Sequence, residues 1–418
     1  MQYQYKDTTK MNYRIIAPAR LSVNTIQLPS SKSISNRALI LNALSYSPYD
    51  IQNLSECDDT DVLVAALNSN SNHFDIKAAG TAMRFLTAFL AKVVGEWTIT
   101  GTERMCNRPI KLLVDALTSL GARIEYINKE GYPPLKIFGS ALQGGEISLN
   151  GGVSSQYISA LLMIAPFMEK GLTLKLEGDI ISKPYINLTL QLMKQFGVSS
   201  TWEGQTIKVA PQEYSPISFT VESDWSAASY WYQIACLSGQ SDIVLPALYK
   251  DSLQGDSAGA ELFKTLGVDT VFGDNEVRLV QNGNICMNLE YDFVNEPDLA
   301  QTFVVTCAMK GIHFRFTGLQ SLKIKETDRV TALIAELKKL GYVLSETEDN
   351  GLQWNGERCD AEANPVIATY EDHRMAMAFA PAALVTPQGI EIANPEVVSK
   401  SYPKYWDDLK KVGFLIKD

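Results

Sequence analysis

The sequence predicts an α/β protein made of six repeats of about 70 residues each. The main observation is a recurring pattern in which an amphipathic helix ends at an apolar residue and a glycine, and an apolar strand follows. Strands outnumber helices within each repeat, which is the second observation. Because one repeat cannot bury its own helix, the repeats must pack on one another. The glycines of the pattern, spaced 70 to 76 residues apart, are Gly121, Gly197, Gly267, Gly341 and Gly413.

The pattern places the elements in order along the chain. Its helices are predicted at residues 61–67 (a weaker copy), 114–120, 188–196, 260–266, 331–340 and 406–412. Short alternating strands are predicted at residues 74–77, 135–138, 146–149, 172–176, 206–210, 277–280 and 313–317. Further apolar helices, each preceded by a polar stretch, are predicted at residues 38–44, 85–91, 158–163, 299–309 and 375–384.

Length and composition exclude several classes of protein. A chain of 418 residues with 46% hydrophobic and 20% charged residues is typical of a globular protein of two or three domains. The net charge of −10 argues against general binding to nucleic acid or anionic membranes. The six cysteines form no C-x-x-C pair and no metal-ligand spacing with the three histidines, so we expect a reduced, cytoplasmic protein without a structural metal. Residues 1–14 lack the apolar segment of a signal peptide, and the longest apolar run, residues 375–385, is too short to span a bilayer.

Polar or charged residues recur 12 to 16 positions before each glycine, often beside a proline. Proline favours the first turn of a helix, so this recurrence predicts cations at several helix N-termini, where unpaired N–H groups attract anions. Converging helices would then form one anion-binding centre. Solvent-facing loops explain any one of these stretches, but they explain the recurrence poorly. The stretches are Arg108-Pro109, Lys183-Pro184, Gln254-Gly255-Asp256, Lys325-Glu326, and Lys400 with Pro403.

The most charged stretch, residues 324–329, is predicted to form the first turn of the helix that follows it. Glu326 or Asp328 could be an ordinary first-turn acid. Lys325 and Arg329, however, would oppose the helix dipole there. Their position therefore favours an anionic ligand.

Other polar stretches each have a structural alternative. Lys32 and Arg37 suit a phosphate or carboxylate at a serine-rich helix start, although the glycines of a nucleotide P-loop are missing; the alternative is a serine cap. Gly80 allows a ligand to approach the backbone, or it serves packing alone. The hydroxyls and amide of residues 154–156 could bind a ligand or cap a helix. Asp298 is most simply a cap, and His373 beside Arg374 is weakly indicative of function.

Taken together, these stretches resemble the EPSP synthase family of enolpyruvyl transferases. The resemblance implies two similar domains, each of three repeated β/α units with their helices inside, an inside-out α/β barrel-like arrangement. It implies one domain of residues 1–30 and 224–418, a second of residues 31–223, and an active site in the cleft between them. Residues 1–10 are interpreted as an extension. The matching segments, in family order, are residues 28–39, 79–84, 108–117, 153–163, 182–197, 297–299, 325–329, 372–377 and 400–403.

The resemblance also implies an activity. The family transfers the enolpyruvyl (carboxyvinyl) group of phosphoenolpyruvate to the 5-hydroxyl of shikimate 3-phosphate and releases phosphate, by addition and then elimination. This is a step of the shikimate pathway towards chorismate and the aromatic amino acids. It needs no metal or organic cofactor. We therefore expect a transferase with small-molecule substrates, no nucleic-acid or membrane partner, and a monomeric state.

The resemblance assigns roles to individual residues. Glu326 is implied to protonate and deprotonate the methylene carbon, Asp298 to take the hydroxyl proton, and Lys32 to assist both binding and proton handling; His373 is a further candidate. The implied contacts of phosphoenolpyruvate are Lys32, Gly80, Arg108, Gln156, Arg329, Arg374 and Lys400. The implied contacts of shikimate 3-phosphate are Lys32, Ser33, Arg37, Ser154, Ser155, Gln156, Ser182, Tyr185, Asp298 and Lys325.

The chain departs from the family pattern at Ser30, Ala78, Phe85 and Ser321, which puts two polar contacts in doubt and leaves the charged set intact. One alternative is the sister enzyme that acts on UDP-N-acetylglucosamine. That family has Lys-Asn where this chain has Lys32-Ser33.

The sister family also commonly has a cysteine five residues before its Arg-Pro. Glu103 stands at that position here, and Cys106 is only two residues away. A second alternative is a non-catalytic, ligand-binding relative. Such a protein would be expected to lose Asp298 or Glu326, and both are present.

Overall fold

A computed structural model describes residues 11–22, 25–239 and 242–418. The predicted extension, residues 1–10, lies outside these ranges. The helices are α1 (Lys32–Leu44), α2 (Asp58–Leu67), α3 (Gly80–Lys92), α4 (Glu103–Cys106), α5 (Lys111–Ser119), α6 (Ser155–Ile164), α7 (Lys183–Gln195), α8 (Trp225–Ser238), α9 (Gly259–Thr265), α10 (Ala300–Lys310), α11 (Arg329–Lys339), α12 (His373–Phe379) and α13 (Tyr405–Lys411). Short 3-10 helices lie at Ala165–Phe167, Gly255–Ala258, Gln320–Ile324, Ala380–Leu384 and Pro395–Lys400.

The strands are short and lie between the helices, as the repeat pattern predicts. They are β1 (Asn12–Ile16), β2 (His73–Asp75), β3 (Gly95–Thr100), β4 (Arg123–Tyr126), β5 (Leu135–Gly139), β6 (Gly145–Asn150), β7 (Leu172–Glu177), β8 (Thr201–Glu203), β9 (Thr206–Val209), β10 (Ile243–Pro246), β11 (Leu266–Phe272), β12 (Glu276–Ile285), β13 (Asn288–Asp292), β14 (His313–Thr317), β15 (Ser345–Glu346), β16 (Leu352–Trp354), β17 (Val366–Ile367), β18 (Ile390–Ala393) and β19 (Leu415–Lys417).

The chain forms two compact units. Unit 1 contains the described residues up to Leu28, together with Trp225–Lys250 and Asp256–Asp418. Unit 2 contains Pro29–Asp224 and the loop Asp251–Gly255. Each unit is organised around its own apolar core.

The sheets repeat one strand arrangement, which confirms the repeated architecture. Four sheets begin with a parallel pair and continue with two antiparallel pairs: β2-β3-β5-β4 and β6-β7-β9-β8 in unit 2, and β13-β14-β16-β15 and β17-β18-β1-β19 in unit 1. The antiparallel sheet β10-β12-β11 follows the same pattern, because Thr25 forms a parallel bridge with Val244 of β10. A parallel bridge between Gln52 and Thr220 marks the sixth copy.

The apolar helices α3, α6, α8, α10 and α12 are buried inside the units. In α6 every residue from Tyr157 to Ile164 is buried, and α8 is buried over nearly its whole length. A helix that is apolar on all sides belongs in a core rather than on a surface. In unit 2, α3 packs against α6 and α6 against α7, while in unit 1 α10 packs against α8 and α12. The prediction that helices lie inside the units is therefore confirmed for these five, while the amphipathic helices α5, α7 and α11 each keep exposed residues.

The predicted first turn at residues 324–329 is wrong. The helix α11 begins only at Arg329, because the side chain of Asp328 caps it by accepting bonds from the N–H groups of Val330 and Thr331, each at 3.1 Å. Lys325 and Glu326 therefore lie in the segment before the helix. Its predicted end is confirmed, since Gly341 has a φ of +87° and follows the last turn.

Other cations also precede helices rather than lie in their first turns. Arg108 lies in the link between α4 and α5, and Lys400 ends a 3-10 helix four residues before the N-cap of α13. A short helix precedes each of these two helices, namely α4 before α5 and the 3-10 helix Pro395–Lys400 before α13. The cation lies at or just after the end of that short helix, and not in the first turn of the longer one. Lys183 does begin α7, but its side chain is exposed.

The predicted helix at residues 375–384 is interrupted. The helix α12 ends at Phe379, and a 3-10 helix containing Pro381 continues to Leu384. Proline lacks the N–H that an α-helix needs at this point. No helix in the described ranges has both the length and the apolarity needed to cross a membrane.

Candidate functional site

Arg329 is the centre of a buried ionic cluster in unit 1. The residue is 1% exposed, and its guanidinium binds three carboxylates. Nε donates to Asp372 Oδ2 at 2.6 Å, Nη1 to Asp298 Oδ1 at 3.3 Å and Nη2 to Glu326 Oε2 at 3.0 Å. The two predicted acid–base residues, Asp298 and Glu326, are thus held on the two terminal nitrogens of one planar group. We call this set, with Lys325, Arg374 and Lys400, the carboxylate cluster.

Glu326 is bound by two cations. Besides Arg329, Lys400 donates from Nζ to Glu326 Oε1 at 2.7 Å. Both the Lys400 and Glu326 side chains are 14% exposed. The pair brings together residues from the α11 and α13 repeats that lie 74 positions apart. These bonds favour the ionised carboxylate until another anion takes the cations.

Asp298 does not cap a helix, so the structural alternative for this residue is wrong. Leu299 is the N-cap of α10, and the Asp298 carboxylate instead pairs with cations. Its Oδ2 lies 2.9 Å from Arg374 Nη2, and its Oδ1 lies 3.8 Å from Lys325 Nζ in addition to the bond with Arg329. Arg374 is further held by the Tyr230 hydroxyl at 3.4 Å.

The pKa values of two cations in the cluster are shifted in opposite directions. Burial lowers the pKa of the Lys325 ammonium, and the Asp298 carboxylate opposes that shift. Burial also disfavours the charged form of Arg329, but Asp372, Glu326 and Asp298 outweigh it and raise the pKa of Arg329. Arg329 therefore remains a fixed cation, while Lys325 is the more easily deprotonated of the two.

His373 lies at the edge of this cluster. It is the first residue of α12 and is 1% exposed. Its Nδ1 lies 3.8 Å from Asp372 Oδ1, a contact that becomes an ion pair only when the imidazole is protonated. Asp372 itself caps α12 by accepting from the N–H of Arg374 at 2.9 Å. Sequence reasoning did not single out Asp372, although a helix cap beside a His-Arg pair was visible.

Lys32 is paired with an acid that sequence reasoning missed. Lys32 is the first residue of α1 in unit 2, and its Nζ lies 3.4 Å from Asp59 Oδ2. Asp59 is 3% exposed and lies in the first turn of α2. Asp58-Asp59 at the start of a predicted helix was a possible signal, but it is also the ordinary pattern of first-turn acids.

Arg37 is buried and fully engaged by protein groups. Its nitrogens donate to Thr189 Oγ1 at 2.7 Å, the Ser33 carbonyl at 2.9 Å and Ser159 Oγ at 3.2 Å. Burial lowers the pKa of Arg37 to about 10, and a weaker interaction with Tyr185 opposes the shift. In this arrangement Arg37 ties α1 to α6 and α7, so it orders the surrounding hydroxyls. Phe85, one of the departures from the family pattern, packs 5.4 Å from the guanidinium.

Gly80, Arg84 and Arg108 lie together at the start of α3. A Cβ placed on Gly80 would lie 2.6 Å from Arg108 Nη1 and 3.1 Å from Arg84 Nη1. Arg84 is 5% exposed and donates to the Gly80 carbonyl at 3.0 Å. Glycine is required here because any side chain would displace the Arg108 guanidinium. Arg108 is only partly buried.

Gln156 connects α6 to this group of residues. Its Nε2 donates to Thr81 Oγ1 at 3.2 Å, one residue after Gly80. Ser154 caps α6 by accepting a hydrogen bond from the Gln156 N–H at 3.3 Å, so this serine does cap a helix, as the structural alternative expected. The Ser155 and Ser33 side chains are both partly exposed.

Ser182 and Tyr185 lie at the start of α7. Ser182 is the N-cap residue and has a φ of +55°, an unusual backbone conformation for a residue other than glycine. The Tyr185 carbonyl accepts bonds from Thr189 and Arg37. Unit 2 therefore gathers Lys32, Arg37 and hydroxyl groups around α1, α6 and α7, and Gly80 with Arg108 at α3.

Comparisons with known proteins show which family this chain belongs to. A family model described as EPSP synthase (3-phosphoshikimate 1-carboxyvinyltransferase) matches residues 17–70 and 64–409. A relative from Bacteroides fragilis named 3-phosphoshikimate 1-carboxyvinyltransferase is 61% identical over 408 residues, which cover 97% of this chain and 99% of the relative. A relative of the same name from Vibrio atlanticus is 36% identical over 435 residues, covering 95% and 99%.

Solved structures are also similar to this chain. An EPSP synthase from Acinetobacter baumannii superposes with a TM-score of 0.78 at 20% identity, covering 97% of this chain and 100% of that one. At this identity the similarity establishes the fold, including the repeated α/β units.

Proposed function

This chain belongs to the EPSP synthase family, and we propose that it transfers the enolpyruvyl group of phosphoenolpyruvate to the 5-hydroxyl of shikimate 3-phosphate. The observation that carries the proposal is the carboxylate cluster, in which Arg329 holds Asp298 and Glu326 together. The reaction needs two proton-transfer groups close to cations that bind phosphate and carboxylate. Arginine is suited to both anions because its planar fork binds them through two parallel bonds.

The proposed first step is an addition. Asp298 accepts the proton of the acceptor hydroxyl, and the hydroxyl oxygen forms a bond to C2 of phosphoenolpyruvate. Glu326 delivers a proton to C3, so the methylene becomes a methyl group and C2 becomes tetrahedral. Two separate carboxylates suit this step, because one must take a proton while the other gives one.

The second step is an elimination at the same carbon. The bond between C2 and the phosphate oxygen breaks, and Glu326 removes a proton from the methyl group. The electron pair left behind forms the C2=C3 double bond of the product, and phosphate leaves. The proton on Asp298 returns to solvent. One residue, Glu326, therefore acts as acid and then as base on the same carbon.

Glu326 must be protonated to begin this cycle, although Arg329 and Lys400 favour its ionised form. We infer that the carboxylate and phosphate of phosphoenolpyruvate compete for those donors. Each bond that shifts from Glu326 to the substrate makes the carboxyl easier to protonate. In the proposal Arg329, Arg374 and Lys400 therefore bind phosphoenolpyruvate and also set the state of the acid.

The family resemblance assigns further binding groups in this proposal. Lys32, Gly80, Arg108 and Gln156 serve phosphoenolpyruvate. The Lys32–Asp59 pair gives Lys32 a partner with which a substrate anion competes. Arg37 orders the groups around it through its bonds to the backbone carbonyls of Ser33 and Tyr185. The groups assigned to shikimate 3-phosphate are Lys32, Ser33, Arg37, Ser154, Ser155, Gln156, Ser182, Tyr185, Asp298 and Lys325.

Phosphate release tests the proposal directly. The purified protein is incubated with phosphoenolpyruvate and shikimate 3-phosphate, with each substrate alone, and with UDP-N-acetylglucosamine as the acceptor. We expect release only when shikimate 3-phosphate is present with phosphoenolpyruvate. Phosphate release with UDP-N-acetylglucosamine but not with shikimate 3-phosphate would favour the sister enzyme. If neither acceptor led to phosphate release, the enzymatic function would be contradicted.

The substitution Gly80→Ala tests whether Arg108 must keep its position beside Gly80 to bind phosphoenolpyruvate. The new methyl group would displace the Arg108 guanidinium, which is the end of a flexible side chain, so the fold should persist. We expect the KM for phosphoenolpyruvate to rise about tenfold, the equivalent of about 1.4 kcal/mol of binding, with little change for shikimate 3-phosphate.

Steady-state kinetics with each substrate varied in turn would measure this effect. The control is Gly273→Ala, where the new Cβ meets only Glu276 at 3.3 Å or more. Equal KM values in the two variants would exclude a role for Arg108 in binding phosphoenolpyruvate.

No observation in the structure favours the alternatives. Glu103, at the position of the sister family's cysteine, begins α4 and is exposed. The thiol of Cys106 lies 3.6 Å from the Gly101 carbonyl. The relatives named above carry an enzyme's name, which disfavours the non-catalytic alternative. The monomeric state, the cytoplasmic location and the lack of a cofactor stay predictions.

A further inference from the structure

A further buried carboxylate lies on the helix that begins with Arg329, the centre of the carboxylate cluster. Glu336 lies on α11, seven residues after Arg329, and is 0% exposed. Seven residues are about two helical turns, or about 10 Å along the axis, so both residues lie on one face of α11. Arg329 binds Asp372 from this face, and Glu336 binds residues that immediately precede Asp372.

Both oxygens of Glu336 are used to hold residues 366–372, which we call the anchor segment. Oε2 accepts the Ala368 N–H at 2.9 Å, and Oε1 accepts the Tyr370 hydroxyl at 2.6 Å. Lys339 donates to Glu336 Oε2 at 2.7 Å and to the Val366 carbonyl at 2.8 Å. The anchor segment is thus attached to α11 at Val366, Ala368 and Tyr370.

The backbone of the anchor segment needs such attachment. Tyr370 and Glu371 have φ values of +54° and +56°, two consecutive residues in a conformation that non-glycine residues rarely adopt. Unusual backbone of this kind persists only where surrounding contacts fix it. The turn it makes brings Asp372 to Arg329 and starts α12, which carries Arg374.

We propose that Glu336 and Tyr370 are positioning residues for the reaction: they fix the anchor segment so that Asp372 and Arg374 face Arg329 and Asp298. This proposal rests on the proposed function, in which Arg374 binds phosphoenolpyruvate. Glu336 and Tyr370 themselves contact neither Arg374 nor Asp298 in the contacts described for them. Their effect on the reaction is therefore transmitted through the anchor segment.

The alternative is that the Glu336–Tyr370 bond only stabilises the fold. Burial and the bond to Glu336 raise the pKa of Tyr370 to about 12, so the phenol stays a donor throughout the usual assay range. A purely stabilising bond would affect unfolding without changing the response to one substrate. A positioning bond would act selectively on phosphoenolpyruvate, because Arg374 is the substrate-binding group on the helix that the anchor segment starts.

Tyr370→Phe is the most conservative test, because it removes only the hydroxyl. We expect the KM for phosphoenolpyruvate to rise roughly tenfold, while the KM for shikimate 3-phosphate stays within about twofold. The matched control is Tyr249→Phe, which also loses a phenol hydroxyl, one that donates to the exposed Asn275. Unchanged KM values for Tyr370→Phe in an active enzyme would overturn the proposal.

A double-mutant cycle identifies the route of the effect. If Tyr370 acts through Arg374, then Tyr370→Phe should raise the KM for phosphoenolpyruvate much less in an Arg374→Lys background than in the wild-type protein. Additive effects of the two substitutions would contradict this route. Glu336→Gln provides a second variant, since its amide keeps the shape and a single acceptor oxygen.

Hydrogen–deuterium exchange measures how firmly the anchor segment is held, without relying on activity. We expect Tyr370→Phe to increase exchange of the amides in residues 366–376, including the Arg374 N–H that Asp372 accepts, and Tyr249→Phe to leave them unchanged. Exchange equal to that of the wild-type protein would overturn the inference. A wild-type protein that releases no phosphate would instead overturn the proposed function, and the exchange result would still stand.

Discussion

Glu326→Gln is expected to lower kcat by roughly a thousandfold, within the range that general acid–base catalysis contributes. Glutamine keeps the size of the side chain and one acceptor oxygen for Arg329 or Lys400. It can neither deliver a proton to the methylene carbon nor remove one. The substitution therefore removes the chemistry while leaving most of the cluster's geometry.

Binding should survive this substitution. The groups assigned to shikimate 3-phosphate do not include Glu326. The dissociation constant of shikimate 3-phosphate, measured by calorimetry, should therefore change by less than about threefold. The matched control is Glu290→Gln on β13, where the carboxylate is exposed. Turnover of Glu326→Gln near that of the control would show that the proton-transfer role is wrongly assigned.

Arg329→Met is expected to have the largest effect on stability. Methionine can fill much of the volume, but Asp298, Glu326 and Asp372 then lose the cation that they share. Breaking a buried ion pair by removing one partner typically costs about 3–5 kcal/mol, because charge is left uncompensated. We expect a loss of that order in the free energy of unfolding, together with the loss of turnover.

Urea unfolding of the variant and of the wild-type protein measures this loss. Asp298 keeps Arg374, and Glu326 keeps Lys400, so most of the loss should come from Asp372 and the bonds that Arg329 made.

Arg315→Met is the control for this experiment. Arg315 pairs with Asp349 at the surface, where both side chains are nearly half exposed. A surface ion pair typically contributes about 0–1 kcal/mol. If Arg329→Met cost no more than Arg315→Met, the carboxylate cluster would not depend on its central cation.

Much of the fold could be predicted from the sequence because its determinants are local. Gly341 ends α11 through a positive φ, and the same signal repeats along the chain. Apolar residues at helical spacing gave the buried helices. The residue types of the site were also visible, since Lys325, Glu326 and Arg329 have no local reason to stand together around the start of a helix.

Pairings between distant residues could not be predicted in this way. Lys32 meets Asp59, and Glu336 meets Tyr370, through contacts between separate helices and loops. Periodicity determines which face of a helix is buried, but it does not identify the residue that this face meets. The exact helix starts were missed for a related reason: a capping side chain such as that of Asp328 competes with the backbone pattern.

The most direct test of the central claim is a reaction run in deuterium oxide. If Glu326 protonates the methylene carbon and later removes a proton from the resulting methyl group, solvent deuterium must enter that carbon. Mass spectrometry of the product formed from phosphoenolpyruvate and shikimate 3-phosphate should then show deuterium in its enolpyruvyl methylene. A product that forms at the normal rate without deuterium at this carbon would contradict the addition–elimination account.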